Sequence, residues 1–483
     1  MHFDLRRMSR AVSVFAQITR LRRLPKLRSK KEIDMRPGNA RHSLHTVLCV
    51  SSLSMMLIST SVQAGTPAEG EVRYIVTDIG VLEGTLSKAY GINSQGRVVG
   101  YLQDMFFYAV VYDRVNGLQV LDPLYPDVPT DRAYAINDLG NIVGEVRPDE
   151  SPSTRAFVYN EVDGMQVLPT LPEGRFAAGE AINLSGLIAG WVFISQYGLV
   201  PAVWQAGEIT ALPVLDEPYV NGASLDVNDT GVAVGLCSYF DGQRNHNRAV
   251  RWEQSGDSWS IEELDRPAGF ASAGAALNSS GVIFGSVTDP KGVSFASTWT
   301  ESGHQYLPAI DGLALSVVHG ANDLDHGVGL ATNDFNDDSA GVAALWRDGE
   351  VFDLNDAIPP ESPWSLQHAR AINDAGQIAG WGEINGETHG FLLTPDCNDN
   401  GVPDDVDIAE GTSSDVNGNG IPDECEDLCT ADLDGSGAVD FGDILQILAA
   451  WGPCGGECPE DLDGSGAVDF GDILIVLANW GAC

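Results

Sequence analysis

A chain of 483 residues is too long for one ordinary core, and 54 glycines beside 43% hydrophobic residues suit turn-rich β structure rather than disorder. The net charge is −41, yet the first 45 residues hold 12 Lys or Arg against 3 acids, so the remainder is more acidic than the total suggests. That balance argues against nucleic acid as a partner.

The apolar run at residues 46–62 follows a basic region and leads to Val62-Gln63-Ala64, with small residues at both cleavage-recognition positions. Residues 1–64 therefore read as a Sec signal peptide with a long basic n-region, cut after Ala64, and Met35 is an alternative start. A membrane anchor competes with this reading, but the run falls short of the ~20 residues that span a bilayer. No later stretch is long enough, so the mature chain is expected to be secreted, extracellular or at the cell surface, with no membrane span. Of the eight cysteines, Cys49 lies in the leader, Cys237 stands alone and six follow from Cys397 onward. Disulfides are expected in the tail of an exported chain, and Cys237 reads as a buried apolar residue.

From residue 66 to 395 one phrase occurs seven times: an apolar pair, Asn, two residues, Gly or a stand-in, three residues, Gly. Its Asn residues are Asn93, Asn137, Asn183, Asn228, Asn278, Asn322 and Asn373, spaced by 44, 46, 45, 50, 44 and 51 positions. Residues 134–137 and 141–146 read as two strands joined by a tight turn. A short apolar strand follows in each copy and ends in Tyr112, Tyr159, Trp204, Trp252, Trp299 or Trp346, with Leu393 in the last. A fourth strand, as at 164–169 or 207–212, completes a unit of about 45 residues, the size of a propeller blade. The seventh copy lacks that strand, whereas residues 74–80 precede the first copy and look like one. The predicted fold is thus all-β, a seven-bladed β-propeller closed by its N-terminal strand, with an open β-solenoid as the alternative.

The hairpin phrase, with His389-Gly390-Phe391 and Arg155-Ala156-Phe157 as His-Ala-Phe-like strands, resembles the HAF-repeat proteins of exported bacterial chains. The resemblance implies an architecture and a location but no agreed activity. Copies four to six depart from it, with Leu277 for Ile and Asp325 for Gly. Propeller hydrolases and lyases place carboxylates or His at the channel mouth, and Asp138, Asp229, Asp323 and Asp374 recur after the motif Asn. An acid repeated at the same turn reads as turn chemistry instead. His246, His304, His319, His326, His368 and His389 show no metal-ligand spacing and read as scattered surface residues. The aromatics ending the third strands read as core, and binding specificity is expected in the variable loops. No catalytic residue is assigned.

The 88 residues from Asp396 onward carry 21 Asp or Glu and no Lys or Arg. A disordered acidic tail would share that composition, but the acids are spaced. Asp432, Asp434, Ser436, Asp440 and Asp443 stand at loop positions 1, 3, 5, 9 and 12, with the Ala438 carbonyl at 7. The same set returns as Asp461, Asp463, Ser465, Ala467, Asp469 and Asp472. Such spacing wraps six or more oxygens round Ca2+. Helices are expected at 444–451 and 473–480, with none before each loop. This duplicated EF-hand-like loop-helix unit, at residues 429–483, resembles a type I dockerin, and its flanking cysteines resemble the "GC-type" variant. The resemblance implies a cohesin-like or other cell-surface receptor. Loop positions 10 and 11, which often touch cohesin in that family, are Phe441-Gly442 and Phe470-Gly471, unlike the small polar pair of many dockerins. The near-identical copies suggest a pseudo-twofold surface able to bind in either orientation.

Two further runs in residues 396–428 repeat the spacing. The first is Asp396, Asn398, Asn400, Val402, Asp404 and Asp407, and the second Asp415, Asn417, Asn419, Ile421, Asp423 and Glu426. They resemble thrombospondin type 3 calcium repeats, in which metal stiffens a linker. Cysteine spacing suggests bridges Cys429 to Cys454, Cys458 to Cys483 and Cys397 to Cys425, with other pairings open. The leading reading is a secreted, non-enzymatic propeller that recognises a surface partner, protein or glycan, and is attached through its calcium-loaded tail. A dockerin-anchored polysaccharide hydrolase or lyase competes with it, as does a structural protein of the cell envelope.

Overall fold

A computed structural model describes residues 73–482 except 83, 151, 243–244, 257, 336, 338–339, 399, 416–421, 423–430, 435, 437, 455–457, 463–464 and 479. The signal-peptide reading of residues 1–64 lies outside them.

Residues 74–395 form seven antiparallel four-stranded sheets. Blade 1 is Leu86–Ile92, Val98–Gln103, Phe107–Asp113 and Gly117–Val120, hydrogen-bonded in that order. Five more blades repeat this order. Blade 7 takes Trp364–Ile372, Ile378–Ile384 and Glu387–Pro395 from the end of the repeats and Tyr74–Asp78 from before the first. In that pairing Tyr74 faces Pro395 and Asp78 faces Phe391. First strands of successive blades touch round the whole circle, blade 7 against blade 1 included. They are the innermost strands of a seven-bladed propeller, and the solenoid alternative falls. The shared blade leaves no unpaired seam in the ring.

The repeated phrase has a steric cause. Each first strand bulges three residues before the motif Asn, leaving one residue unpaired: Tyr90, Tyr134, Glu180, Leu225, Ala275, His319 and Arg370. The second glycine of the phrase faces that bulge. A Cβ on Gly100, Gly144 or Gly380 would overlap the carbonyl oxygen of Lys88, Arg132 or His368 across the ladder, so only glycine lets the backbones approach. The turn glycine supplies a left-handed residue, as at Gly96 (φ 73°), and Asp325 adopts the same region (φ 60°) in copy six.

The motif Asn residues are all buried. Each accepts the backbone N–H four residues on, as Asn183 does from Leu187 at 2.9 Å, which pins its own turn. Its side-chain amide donates to the backbone carbonyl of the next blade's Asn, and the seven bonds, from 2.9 to 3.3 Å, run unbroken round the ring. The recurrent Asp was expected to serve its own turn, but it serves its neighbour's. Asp138, Asp229, Asp323 and Asp374 accept the backbone N–H of Ser94, Leu184, Ser279 and Asp323 in the preceding blade, at 2.7 to 2.8 Å.

Apolar cores lie between blades. Val143 and Ala156 of blade 2 pack with Ile188 and Trp204 of blade 3, for example. The third-strand aromatics are core, as read from sequence, and each indole also clasps the preceding blade. Trp204, Trp252, Trp299 and Trp346 donate Nε1–H to the carbonyls of Pro169, Pro213, Asp265 and Pro308 at 2.7 to 2.8 Å. Cys237 is a buried free thiol.

Beyond the ring the described residues hold three helices: α1 (Asp404–Glu410), α2 (Phe441–Ala450) and α3 (Phe470–Ala478). Helix α1 lies in the linker, ends on Gly411 (φ 72°) and is tied to the propeller. Arg114 donates to both carboxylate oxygens of Asp405 at 2.7 and 2.8 Å, and Gln377 donates to Oδ2 at 3.0 Å. Helix α2 begins three residues earlier than expected because Asp440 caps it. Asp440 accepts the Gly442 N–H while Asp443 accepts that of Asp440.

The two loop-helix units interlock. Ala438–Val439 of the first loop pairs with Gly481–Ala482 beyond α3, and Ala467–Val468 of the second pairs with Gly452–Pro453 beyond α2. The structure joins Cys454 to Cys458, with Cα atoms 5.9 Å apart, which overturns the pairings proposed for both residues. Cys397 is disulfide-bonded, whereas Cys425, Cys429 and Cys483 lie outside the described residues.

Candidate functional site

In the tail, the carboxylate oxygens of Asp432, Asp434 and Asp443 lie within 4.8 Å of one another. Asp443 is fully buried and accepts N–H bonds from Leu433, Asp434 and Asp440 at 2.6, 3.1 and 2.7 Å, which orients it toward the loop. Ser436 donates its N–H to Asp432 and Asp434 at 3.0 and 3.1 Å. Three carboxylates gathered so closely repel one another until a cation neutralises them, and an all-oxygen donor set suits a hard divalent ion.

The second loop follows the same plan. Asp461 accepts from Ser465 and Gly466, and Asp469 from Gly471. The Ser465 hydroxyl donates to the Ala467 carbonyl, and the buried Asp472 accepts from the Asp469 N–H. Asp463 lies outside the described residues.

The linker loops differ. Asp396 accepts from the N–H of Asn400 and Gly401, Asn398 from that of Asn400, and Asn400 from that of Val402. Asp404 is turned to the Cys397 N–H and Asp407 to the side chains of Asn400 and Thr412. Among the described residues no trio of carboxylates closes up there as it does at Asp432. Of the second linker run only Asp415 is described. Asn417, Asn419, Ile421, Asp423 and Glu426 lie outside the described residues.

Both tail helices present a bare apolar stripe. Phe441, Leu445, Leu448 and Trp451 on the first match Phe470, Leu474, Leu477 and Trp480 on the second, with the two Phe each 62% and the two Trp each 51% exposed. Their helical spacing puts four apolar side chains on one face, and the equal exposures make the two faces equivalent.

A second cluster lies in the propeller channel, and sequence reasoning missed it. The bulged residues on the innermost strands differ from blade to blade. So do the residues after the second glycine: Tyr101, Glu145, Trp191, Leu236, Ser286, Leu330 and Trp381. Blades 7, 1, 2 and 3 place aromatic and charged groups at these positions. Blades 4 and 5 place Leu225, Leu236, Ala275 and Ser286 there, so one side of the channel is chemically distinct. His319 of blade 6 and His368 of blade 7 face this cluster, which corrects their reading as scattered surface residues.

The cluster is a connected network. Arg132 pairs with Glu145 and lies over the Phe107 ring at 3.5 Å. Glu145 also accepts the Tyr134 and Thr154 hydroxyls at 2.9 and 3.0 Å. Tyr90 stacks on Trp381 at 5.2 Å, Trp381 on His368 at 4.5 Å, and the Arg370 guanidinium lies 5.0 Å over Tyr90. The Trp191 indole donates to Glu180 at 2.7 Å. Burial, reinforced by the nearby Glu145 charge, pushes the Glu180 carboxyl up to about 7 despite that bond and the Arg370 charge, which both pull it down. Burial, with the Arg370 guanidinium and the His368 imidazole beside it, holds the His319 imidazole well below its usual range.

This sector therefore offers a near-neutral carboxyl, a neutral imidazole and a guanidinium with no carboxylate pair among the described residues. The signal was present in the repeats. Aligned on the motif Asn, the architectural positions agree while the position three before it reads Tyr, Tyr, Glu, Leu, Ala, His, Arg.

Among the described residues no helix is long and apolar enough to cross a membrane. No family model and no curated protein matches the sequence. Solved structures similar in fold include a gluconolactonase from Xanthomonas campestris, 11% identical with a TM-score of 0.33 over 67% of this chain and 90% of that one. A puromycin-hydrolysing peptidase from Mycobacterium tuberculosis is 12% identical with a TM-score of 0.43, over 70% of this chain and little more than half, 56%, of its own length. YCF48 bound to a D1 peptide is 13% identical with a TM-score of 0.38, over 68% of this chain and 98% of that one. At such identities the likeness is one of strand arrangement, and no activity passes from these proteins to this chain.

Proposed function

We propose that this chain is an exported calcium-binding protein whose propeller is a recognition module for a surface partner or glycan. In this reading the dockerin-like tail attaches it to a cohesin-type or other cell-surface receptor. The observation that carries the recognition role is the non-repeating aromatic and charged sector of the channel, because blade architecture does not require those residues. Two observations support the attachment role: the carboxylates gathered at Asp432, Asp434 and Asp443, and the two equivalent apolar stripes. Calcium bound there would neutralise the acids and lock the loops against α2 and α3. Asp432, Asp434, Ser436, Asp440 and Asp443, with the Ala438 carbonyl, would hold it in the first loop. The matching set from Asp461 to Asp472 would serve the second, and the linker loops from Asp396 and Asp415 would take further ions.

The test is retention of the calcium-loaded full chain on a panel of polysaccharides and envelope fractions, with soluble products assayed in parallel. Retention without product release fits the proposal. The enzyme reading is favoured by one observation, the Glu180 carboxyl poised near neutrality, and release of oligosaccharides would establish it instead.

A further inference from the structure

Tyr90, at the centre of the channel sector, is engaged by two neighbours. Trp381 stacks against it and the Arg370 guanidinium lies over it. The rings form a wall that holds charged groups in place rather than a platform for a sugar ring. What this wall leaves unsatisfied is specific. The Arg370 Nε–H and the Trp381 Nε1–H are buried and have no acceptor among the described residues. Trp381 itself is only 6% exposed, so bulk water does not substitute freely for a partner. Near enough to feel the Arg370 charge, Glu180 is bonded by Trp191 alone and His319 by no group among the described residues. Unpaired donors thus stand on blade 7, while Glu180 on blade 3 keeps one carboxyl oxygen beyond its Trp191 bond and the His319 imidazole on blade 6 has no hydrogen-bond partner among the described residues. Leu225, Leu236 and Ala275 make the positions of blades 4 and 5 mostly apolar, with Ser286 beside them.

A ligand that completes this set carries an anion for the guanidinium and indole, hydroxyl donors for the carboxyl and imidazole, and a hydrocarbon face. The geometry points to a hydroxylated carboxylate, the chemistry of a uronic acid residue, bound in the channel with its carboxylate on Arg370 and the Trp381 N–H. This rests on the reading of the propeller as a recognition module and names what that module recognises. The uronate is either a free sugar acid or a residue of an acidic polysaccharide.

Titration calorimetry on the calcium-loaded full chain tests the assignment with galacturonate, glucuronate and trigalacturonate. Galactose, glucose and acetate serve as controls. The expected result is binding of at least one sugar acid, at least tenfold tighter than its neutral counterpart and than acetate. Arg370→Gln should weaken it at least tenfold and Arg370→Lys by less, because Lys keeps the charge and loses the fork. Should Arg370→Gln fail to fold, Trp381→Phe keeps an aromatic ring while removing the N–H and part of the bicyclic surface, and should cost several-fold. Val162→Ala, on the exposed outer turn of blade 2, should stay within threefold. Binding of the trimer alone supports the assignment with the polymer as source, and binding of the monomer supports a free acid.

Equal affinity for galactose and galacturonate overturns it, as do unchanged affinities in Arg370→Gln and Trp381→Phe. Absence of sugar-acid binding, meaning a channel that holds water only, also overturns it. If that absence is accompanied by retention on some other polysaccharide or envelope fraction, the recognition reading survives. If nothing is retained, both fall.

Discussion

The side-chain amide of Asn373 donates to the backbone carbonyl of Asn93 at 3.0 Å, joining residues 280 positions apart and closing the circle of seven such bonds. Asn373 also accepts the Gln377 N–H at 2.9 Å. Replacing it by Ala removes both bonds and strands two buried backbone groups, at a cost of about 3 kcal/mol. Asn183→Ala removes the equivalent bonds between blades 3 and 4 and should cost a similar amount. Urea unfolding measures both. A loss below about 0.5 kcal/mol in each would show that the ring is held by the apolar cores alone.

Glu180 and Asp226 carry carboxyls pushed up to about 7. Burial is the main cause for both, and for Asp226 the N–H groups of Leu277 and Val227 pull the other way. A folded state that holds protons the unfolded chain has released is stabilised at low pH. That stability is present below about pH 4 and is lost as pH rises toward 7, by on the order of 3 kcal/mol for each group. His319 works in the opposite sense, since its neutral form is favoured by folding. Differences from wild type therefore isolate each carboxyl. Glu180→Gln and Asp226→Asn should match wild type near pH 4 and exceed its stability near pH 8. A difference that is flat across that range would mean both carboxyls ionise normally.

Calcium removal should act on the tail and spare the ring. In chelator, the far-UV helix signal from α2 and α3 should fall while the main thermal transition of the propeller stays in place. Asp443→Ala removes a carboxylate that both faces the acid cluster and caps α2, and it should weaken calcium binding to the first loop at least tenfold. Calorimetric titration reads the affinity. Equal helicity with and without calcium would remove the coupling between metal and fold.

Arg114 anchors the linker. Besides Asp405 it holds the Thr394 hydroxyl at 2.7 Å, so one guanidinium spans blade 1, the last strand of blade 7 and α1. Arg114→Ala should leave blade packing intact, cost about 1–2 kcal/mol of linker docking and speed proteolysis between residues 396 and 415. Peptide mapping under non-reducing conditions should recover Cys454 joined to Cys458. Fragments linking Cys454 to Cys429 would restore the pairing suggested by spacing.

The ring was legible because its causes are periodic. The bulge demands Gly100 and its six counterparts, the turn demands Gly96 and its counterparts, and the buried amide demands Asn. Repetition exposes all of these. The N-terminal strand was legible as the piece missing from copy seven. The Asp138 series was only half legible, since a turn acid and a clasp on the next blade look alike in one dimension. The channel sector was hidden for the opposite reason: Tyr90, Glu180, His319 and Arg370 occupy equivalent positions yet share no residue type, so a search for sameness passes over them. The Cys454 to Cys458 bridge was hidden because the equal spacing of Cys429 to Cys454 and Cys458 to Cys483 pointed to a bridge within each unit, and spacing alone does not say which sulfurs meet.

The pairing of Tyr74–Asp78 with Glu387–Pro395 also sets an order of events. Six blades are built from hairpins close in sequence and can condense one after another. The seventh needs partners more than 300 positions apart, and such contacts are slow to form because the chain between them must already be in place. The circle therefore shuts last, and a chain emerging N-terminus first keeps its leading strand unpaired until the final repeat arrives. Until then the two ends of the array are open sheet edges, so the interval between first strand and last is when this protein is most exposed to mispairing with its own kind.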